Sequence, residues 1–373
     1  MNAFLQISTG LFDRCTELSA SEVGRRLESL LQRLPVSGVI YGWGEKKGLF
    51  ETILETARRH RAETYLWLPV FADIRNPEHA DPMVYPEAAE ETPLNSCPGE
   101  EFRFVCPGSA RNVTAVTEAY EILSEGRTPD GVFLDRIRWS SAVLSPVHFF
   151  GCRCERCLGR QRQAGISGRK LREILQRQDS LAACAPLRME KGRYFFAAPE
   201  LDRLAEIRRE TISGAVRHLC GSFRAKGLRV GVDVFAPALA DLVGQDLPAL
   251  LEAADWIKPM MYFRTDAPAG IPYELAAYGK NMADALEKLW AAPVGDLSSM
   301  ERQLRSLPNP AGRIFPGIEV NYIPGICEPD ANAFSLALRA AKAAGCNTVI
   351  LSWDVLQIRE EELCVLETCL QDI

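Results

Sequence analysis

This 373-residue chain has no excess of basic residues. It contains 43 Lys and Arg and 49 Asp and Glu, which gives a net charge of −6. Without a basic stripe, we expect no nucleic-acid partner. No apolar stretch approaches the roughly 20 residues needed to span a bilayer, so a membrane partner is not expected either. The first residues also lack a basic segment followed by a long apolar run, which predicts a cytoplasmic location.

Histidine is scarce, and no glycine-rich phosphate loop follows the first predicted strand. The four histidines, His60, His79, His148 and His218, lie in predicted helices or loops, and none of them ends a strand. This placement disfavours the barrels of metal-dependent amidohydrolases, because those barrels rely on several His ligands. The missing glycine-rich loop disfavours a dinucleotide-binding open sheet.

Short β-rich runs alternate with amphipathic helical segments along the whole chain. Apolar residues recur at three- and four-residue spacing in these segments, for example at Val23, Leu27 and Leu30. The eight predicted strands are residues 3–8, 37–43, 64–71, 130–139, 228–235, 255–263, 313–321 and 347–355. Eight strands alternating with helices predict an α/β fold, a (β/α)8 TIM barrel, as a single domain over residues 1–373. An open doubly wound sheet is the alternative.

Two of the predicted loops that follow strands are unusually long. Residues 72–111 follow the third strand and contain repeated prolines, whereas residues 140–200 follow the fourth strand and contain a cluster of cysteines. Loops at this end of a TIM barrel surround the active site, and long ordered loops are usually functional. We therefore expect the two loops to form a cap over the barrel.

The cysteine cluster lies in the stretch FFGCRCERCLGR, which contains Cys152, Cys154 and Cys157. Three soft thiolate ligands at this spacing fit zinc, which requires a fourth ligand for tetrahedral coordination. Cys106, in FVCPGSARN at the end of the other long loop, is the predicted fourth ligand, and Cys97 is the alternative. Four thiolates leave no open position, so the predicted Zn2+ is structural and braces the cap. Reduced thiols without a metal are the competing interpretation.

Carboxylates occupy late positions in three predicted strands. Asp135, Asp233 and Glu319 lie near the ends of the fourth, fifth and seventh strands, and strand alternation allows all three to face one pocket. Buried charges are costly unless they are paired or functional, so these three residues are the candidate catalytic groups. The competing interpretation is a salt-bridge network with nearby cations such as Arg138 and Lys258.

Aromatic and polar residues surround the same end of the predicted barrel. Sugar rings present apolar CH faces and hydroxyl groups, so aromatic platforms interleaved with charged groups suit a carbohydrate. The candidate substrate-binding residues are Tyr41, Trp43, Trp67, Arg138, Lys258, Tyr262, Trp353 and Asp354.

Several of these stretches resemble known protein families. DGVFLDRIRW resembles the fourth strand, and DWIKPMMYF the sixth strand, of uncharacterised TIM-barrel proteins called glycoside-hydrolase-like. A Cys-Pro before helix three, with Cys-x-Cys-x-x-Cys after strand four, is similar to the zinc site of family 42 β-galactosidases. That likeness supports Cys106 as the fourth ligand. The matches cover roughly residues 104–157 and 228–263.

The resemblances imply two schemes for the roles of the carboxylates. Family 42 enzymes use a nucleophilic Glu on strand seven, a position that Glu319 matches, but their Asn-Glu pair on strand four is replaced here by Leu134 and Asp135. The α-amylase and α-galactosidase kinds of barrel use a strand-four Asp as nucleophile, as Asp135 would be. Their acid/base position on strand five or six points to Asp233.

These observations together predict a glycoside hydrolase that acts on a small glycan or oligosaccharide. In the preferred assignment, Asp135 is the nucleophile or charge stabiliser and Glu319 is the acid/base, with Asp233 as a substitute partner. A carbohydrate-binding barrel without catalysis is one alternative. The other is a zinc-thiolate transferase, in which the metal activates a thiol substrate.

Overall fold

Eight parallel strands form a closed barrel, as seen in a computed structural model that describes residues 1–9, 17–42, 48–72, 80–85, 103–143, 149–175, 184–308 and 312–372. The strands of these ranges are β1 (Asn2–Ser8), β2 (Val36–Gly42), β3 (Glu63–Pro69), β4 (Gly131–Asp135), β5 (Arg188–Glu190), β6 (Arg193–Phe195), β7 (Arg229–Phe235), β8 (Trp256–Met260), β9 (Gly317–Glu319) and β10 (Thr348–Ser352). The barrel runs β1-β2-β3-β4-β7-β8-β9-β10 and closes between β10 and β1. The predicted TIM barrel is confirmed, and the open sheet is excluded.

Helices cover the outside of the barrel. Within the described ranges they are α1 (Ala20–Arg33), α2 (Leu49–Arg59), α3 (Ala110–Ser124), α4 (Glu155–Gln163), α5 (Gly168–Leu175), α6 (Pro199–Ala225), α7 (Pro237–Ala240), α8 (Leu247–Ala253), α9 (Ile271–Tyr278), α10 (Lys280–Trp290), α11 (Met300–Arg305), α12 (Ala331–Ala343) and α13 (Glu360–Asp372). The chain departs from strict alternation between β4 and β7, where α4, α5 and the antiparallel β5–β6 hairpin precede α6. No helix in the described part of the chain is both long enough and apolar enough to cross a membrane.

Local sequence explains where the first helix begins and which face it buries. The Ser19 side chain accepts a hydrogen bond from the Glu22 backbone, and the Glu22 carboxylate accepts one from the Ser19 backbone. This capping box satisfies two backbone donors at the helix start. The apolar residues Val23, Leu27 and Leu30 are buried, as their spacing predicts for a helix that packs on a sheet.

Aromatic side chains fill the interior of the barrel. Phe4, Tyr65, Phe133 and Trp256 form one buried cluster, with the rings of Phe133 and Trp256 stacked at 5.4 Å between centroids. Gly231 makes room for this packing, because a Cβ atom there would lie 2.1 Å from the Trp256 ring. The barrel is therefore packed through its centre, and the polar residues of the strands are left at its C-terminal end.

The two long loops contact each other where the structure describes them. Residues 72 and 82 form isolated antiparallel bridges with residues 104 and 105, so the loop after β3 returns alongside itself. Arg153 N then donates to Val84 O at 2.7 Å, which joins the loop after β4 to the loop after β3. Residues 73–79, 86–102, 144–148 and 176–183 of these loops lie outside the described residues, so the cap itself stays a prediction.

Candidate active site and cysteine cluster

The three predicted carboxylates lie in the polar layer at the C-terminal end of the barrel. Asp135 is the last residue of β4, Asp233 lies late in β7, and Glu319 ends β9; all three are buried. Tyr262 lies two residues beyond β8. Burial raises the pKa of Tyr262, and the negative charges of Asp233, Glu319 and Asp135 raise it further. The strands thus bring the three carboxylates to one site.

Asp135 is held by donors on two sides. Trp67 Nε1 donates to Asp135 Oδ2 at 3.0 Å, and the Arg136 backbone N–H donates to Oδ1 at 2.5 Å. Arg136 has φ +54°, a left-handed conformation that is uncommon for a residue with a side chain and is frequent near functional sites. Burial raises the pKa of Asp135, whereas the charge of Lys258 and these two hydrogen bonds lower it. Both carboxylate oxygens of Asp135 therefore have a fixed direction.

Glu319 has a different environment. The Arg264 backbone N–H donates to Glu319 Oε1 at 2.5 Å, whereas Oε2 is buried and has no hydrogen-bond partner among the described residues. Burial raises the pKa of Glu319 to about 7, against the opposing effect of the backbone hydrogen bonds. Near neutral pH this carboxyl group can therefore both donate and accept a proton, which is the property that general acid/base catalysis needs.

Asp233 forms a buried ion pair. Lys258 Nζ donates to Asp233 Oδ2 at 3.0 Å and to Gln6 Oε1 at 2.8 Å, and the Lys258 side chain is fully enclosed. Burial raises the pKa of Asp233, and the positive charge of Lys258 opposes that shift. Gly317 leaves room for the lysine, because a Cβ atom there would lie 2.4 Å from Lys258 Cε. The salt-bridge interpretation therefore applies to Asp233.

Replacing Lys258 with Met is expected to destabilise the fold by about 3–5 kcal/mol, because Asp233 would keep a buried charge without its partner. The pKa of Asp233, already raised in the folded state, would rise further. A raised carboxyl pKa means that the folded state binds more protons, so stability falls as pH increases through the range between the unfolded and folded pKa values. Urea unfolding should therefore show a larger loss at pH 8 than at pH 5.

The control for this substitution is the double variant Lys258→Met with Asp233→Asn. It should recover much of the lost free energy of unfolding, and its remaining loss should depend little on pH, because no buried charge is left at position 233. Equal losses for the single and double variants at both pH values would show that Lys258 acts through packing alone.

Aromatic groups line the same layer. The rings of Tyr262 and Trp353 lie 6.0 Å apart, and Lys258 Nζ lies 5.4 Å from the centre of the Tyr262 ring. Trp67 contacts Asp135 through its indole N–H. These three predicted substrate-binding aromatic residues therefore lie beside the carboxylates, as Lys258 does.

The remaining predicted substrate-binding residues make other contacts. Tyr41 faces the helix layer, where its ring packs 5.0 Å from that of Phe50, and this position does not suit a substrate contact. The Arg138 guanidinium lies between the rings of Phe104 and Phe235, at 4.9 and 4.6 Å. Asp354 is fully buried, and its side chain accepts a hydrogen bond from Leu356 N at the start of a short 3₁₀ helix. Trp43 lies outside the described residues.

The side-chain amides of Asn321 and Gln6 also belong to this polar layer, although the sequence analysis did not single them out. Asn321 Oδ1 accepts hydrogen bonds from the backbone N–H groups of Trp353, at 2.5 Å, and Asp354, at 3.0 Å. Gln6 Oε1 accepts from Lys258. Within the described part of the chain, the Nδ2 of Asn321 and the Nε2 of Gln6 are buried donors without a partner. Both are therefore suited to donate to oxygen atoms of a bound ligand.

The predicted metal ligands form one cluster. The Sγ atoms of Cys106, Cys152, Cys154 and Cys157 all lie within 4.8 Å of one another. Cys106 Sγ is 3.5 Å from that of Cys157 and 3.8 Å from that of Cys154. Four thiolates around one tetrahedral ion would place their sulfur atoms about 3.8 Å apart. The geometry and the donor set fit a metal ion, and Cys106 holds the predicted fourth position; Cys97 lies outside the described residues.

Hydrogen bonds around Cys152 favour its ionised form. Hydrogen bonding among the thiols lowers the pKa of Cys152 and raises the pKa values of Cys106 and Cys157. The backbone N–H groups of Val84 and Cys154 add hydrogen bonds to Cys152 Sγ at 3.3 and 3.4 Å. Since a metal binds the thiolate form, these backbone hydrogen bonds suit Cys152 as a metal ligand.

Comparisons with known proteins identify the fold. No protein-family model matches the chain, and no curated protein sequence matches it. Solved structures do match. The PgaB (BpsB) glycoside hydrolase domain from Bordetella bronchiseptica is 13% identical, with a TM-score of 0.63 over 99% of this chain and 98% of that one. The β-amylase catalytic domain from Paenibacillus polymyxa is 10% identical, with a TM-score of 0.56 over 100% and 98%.

A third similar structure belongs to a larger protein. The α-L-fucosidase isoenzyme 2 from Paenibacillus thiaminolyticus is 13% identical, with a TM-score of 0.56, and the match covers 100% of this chain but 48% of the fucosidase. These three likenesses confirm, at the level of the fold, the resemblance to the TIM barrels of glycoside hydrolases.

Proposed function

We propose that this chain is a glycoside hydrolase that acts on a small glycan or oligosaccharide. The observation that carries the proposal is the difference between two carboxyl groups in one buried layer. Burial raises the pKa of both groups, to about 7 for Glu319. Glu319 keeps a buried oxygen without a partner among the described residues, whereas both oxygens of Asp135 accept hydrogen bonds, which oppose the rise. Two carboxyl groups in contrasting environments suit the two roles of glycoside hydrolysis.

Glu319 takes the role of acid/base in this proposal. Its protonated form gives a proton to the leaving oxygen as the glycosidic bond breaks, and the resulting carboxylate can then take a proton from the attacking water. Asp135 is the nucleophile or charge stabiliser, since Trp67 and Arg136 hold it with fixed direction. Asp233 is the substitute partner, although its ion pair with Lys258 favours a supporting role.

The surrounding side chains would bind the sugar. Tyr262, Trp67 and Trp353 offer aromatic surface beside the carboxylates, which suits the apolar faces of sugar rings. Gln6 and Asn321 offer amide donors to hydroxyl groups. The names of the similar structures, which include a glycoside hydrolase domain, a β-amylase and a fucosidase, support a carbohydrate substrate for this chain as well.

We also propose that the ion held by the cysteine cluster is zinc in a structural role. Four sulfur ligands select a soft or borderline metal, and complete tetrahedral coordination leaves no position for a substrate. Cys106 belongs to the loop after β3, and the other three cysteines belong to the loop after β4. The metal would therefore hold together the two loops that the proposed cap contains.

The test is a screen of the purified protein against α- and β-linked aryl glycosides and natural oligosaccharides. At least one substrate should be hydrolysed, and Asp135→Asn should remove that activity. Asp284→Asn is the matched control, because Asp284 lies on the outer helix α10 in an exposed pair with Lys280. Tight glycan binding without hydrolysis would favour the carbohydrate-binding barrel. Turnover that requires Cys152 but not Asp135 would favour the transferase.

A further inference from the structure

A small cavity lies between α6, the cysteine-bearing loop after β4 and the residues that follow β7. It admits a group the size of one ion or water molecule. Its walls are mostly apolar side chains: Phe149, Phe196, Leu201, Leu204, Ala205 and Leu242. Arg208 and Asp241 are its two charged residues. A charged arginine side chain beside mostly apolar walls calls for an explanation.

Arg208 is a buried cation, and two of its hydrogen-bond donor atoms have no acceptor among the described residues. Its side chain is 4% exposed, and its Nε and Nη2 have no hydrogen-bond partner in the part of the chain that the structure describes. The guanidinium lies 5.2 Å from the centre of the Phe149 ring and 6.0 Å from that of Trp139. These π faces stabilise the charge but accept no ordinary hydrogen bond. The guanidinium therefore still requires an acceptor.

The nearby carboxylate is already paired with another arginine. Asp241 accepts from Arg209 Nη1 at 3.1 and 3.2 Å and from the Tyr194 backbone N–H at 2.7 Å. Two arginines and one aspartate leave a net charge of +1 next to the cavity. Burial lowers the pKa of Arg208 to about 10, so the guanidinium remains charged at neutral pH.

We propose that this cavity binds a small monovalent anion, such as chloride, through the Nε and Nη2 groups of Arg208. A single negative charge matches the net charge of the cluster, and the space inside the cavity suits one small ion. A water molecule would leave the net charge of +1 uncompensated, whereas a monovalent anion would neutralise it. None of its lining residues belongs to the proposed glycosidase site.

The anion would connect two parts of the fold. Arg208 lies on α6, and the Trp139 indole N–H donates to its backbone oxygen at 3.2 Å. Phe149, on the other side of the cavity, lies three residues before Cys152 in the same loop. Occupation of the site should therefore raise the stability of the region that joins α6 to the cysteine cluster.

The test compares thermal unfolding of the full chain in chloride or bromide with unfolding in gluconate, whose anion is too large, at constant ionic strength. The unfolding temperature should rise with halide concentration, steeply at first and then more gradually, as expected for a ligand that binds the folded state. Arg208→Met should remove this dependence. Arg217→Met, at an exposed position of the same helix, should keep it. A dependence that persists in Arg208→Met would overturn the proposal.

Crystals grown in bromide give a second, independent readout that needs no variant. An anomalous difference peak within hydrogen-bond reach of Arg208 Nε or Nη2 is the expected result. A water molecule alone at that position, or no peak there, would overturn the proposal. If Arg208→Met does not fold, the bromide experiment on the unaltered chain decides the matter.

Discussion

Glu319→Gln is expected to lower kcat for glycoside hydrolysis by about 10²–10⁴-fold, the usual contribution of a general acid/base. The glutamine amide keeps the size of the side chain and can accept the Arg264 N–H hydrogen bond, but it has no proton to transfer. Aryl glycosides with good leaving groups should be affected least in the bond-breaking step, because their leaving oxygen needs little protonation. Steady-state kinetics on a series of aryl leaving groups measure both effects.

The pH dependence of the unaltered protein follows from the same group. Because burial raises the pKa of Glu319 to about 7, its acid form is present below that pH and is lost as pH rises through it. Hydrolysis limited by protonation of the leaving group should therefore decline above about pH 7. A profile that shows no alkaline limb near this pH would contradict the role of Glu319 as the acid.

The same substitution should not weaken the fold. A carboxyl group whose folded-state pKa is raised costs stability as pH increases from its unfolded value toward about 7, and glutamine removes that cost. Glu319→Gln should thus unfold at an equal or higher temperature than the unaltered protein at pH 8. Glu301→Gln, in an exposed pair with Arg305, is the matched control and should change neither kcat nor the pH profile. Full activity in Glu319→Gln would remove this residue from the mechanism.

Cys157→Ser is expected to release the metal and to lower the free energy of unfolding by more than about 4 kcal/mol, a size of effect typical of losing a bound metal. Serine is a poor ligand for a metal that thiolates select, so the remaining three cysteines should bind it much more weakly. Metal content per chain and urea unfolding, with and without a chelator, measure the two effects. Chelation of the unaltered protein should reproduce the loss.

Cys364→Ser is the matched control, because Cys364 is exposed on α13 and lies outside the cluster. Its metal content and stability should equal those of the unaltered protein. Hydrolysis by Cys157→Ser, measured at a temperature where it is folded, should persist at a reduced level if the metal is structural. A chain that folds without metal, and whose stability does not change with the chelator, would instead support four reduced thiols.

The barrel could be predicted because buried parallel strands appear in sequence as short β-rich runs between helical patterns. The ends of those runs were harder to place. The fourth run was predicted to reach residue 139, but β4 ends at Asp135, where Arg136 takes φ +54°. The apolar residues Ile137 and Trp139 continue the pattern, yet they are buried in the loop rather than in the sheet. Hydrophobicity alone does not distinguish these two kinds of burial.

Strand alternation explains what the sequence could tell about the site. It predicted that Asp135, Asp233 and Glu319 could face one pocket, and all three are buried near the C-terminal ends of their strands. Strand alternation also places the side chains of Ile40 and Tyr41 on opposite sides of β2. The side chain of Ile40 lies in the barrel interior, and that of Tyr41 faces the helices. Gln6 is a polar residue within an apolar strand, and this pattern could have indicated that it belongs to the polar layer. The partners of Asn321 depend on the turn after β10, which no local pattern reveals.

The four clustered cysteines all belong to the segment between residues 106 and 157, and that segment also contains α3 and β4. All four cysteines therefore leave the ribosome before β7 to β10 have been synthesised. An ion bound at that moment would close the segment into a ring and reduce its chain entropy while half of the barrel is still missing. Asp135 is one of the residues of this closed segment. Metal supply during translation would then affect the yield of correctly folded protein more than metal supply afterwards.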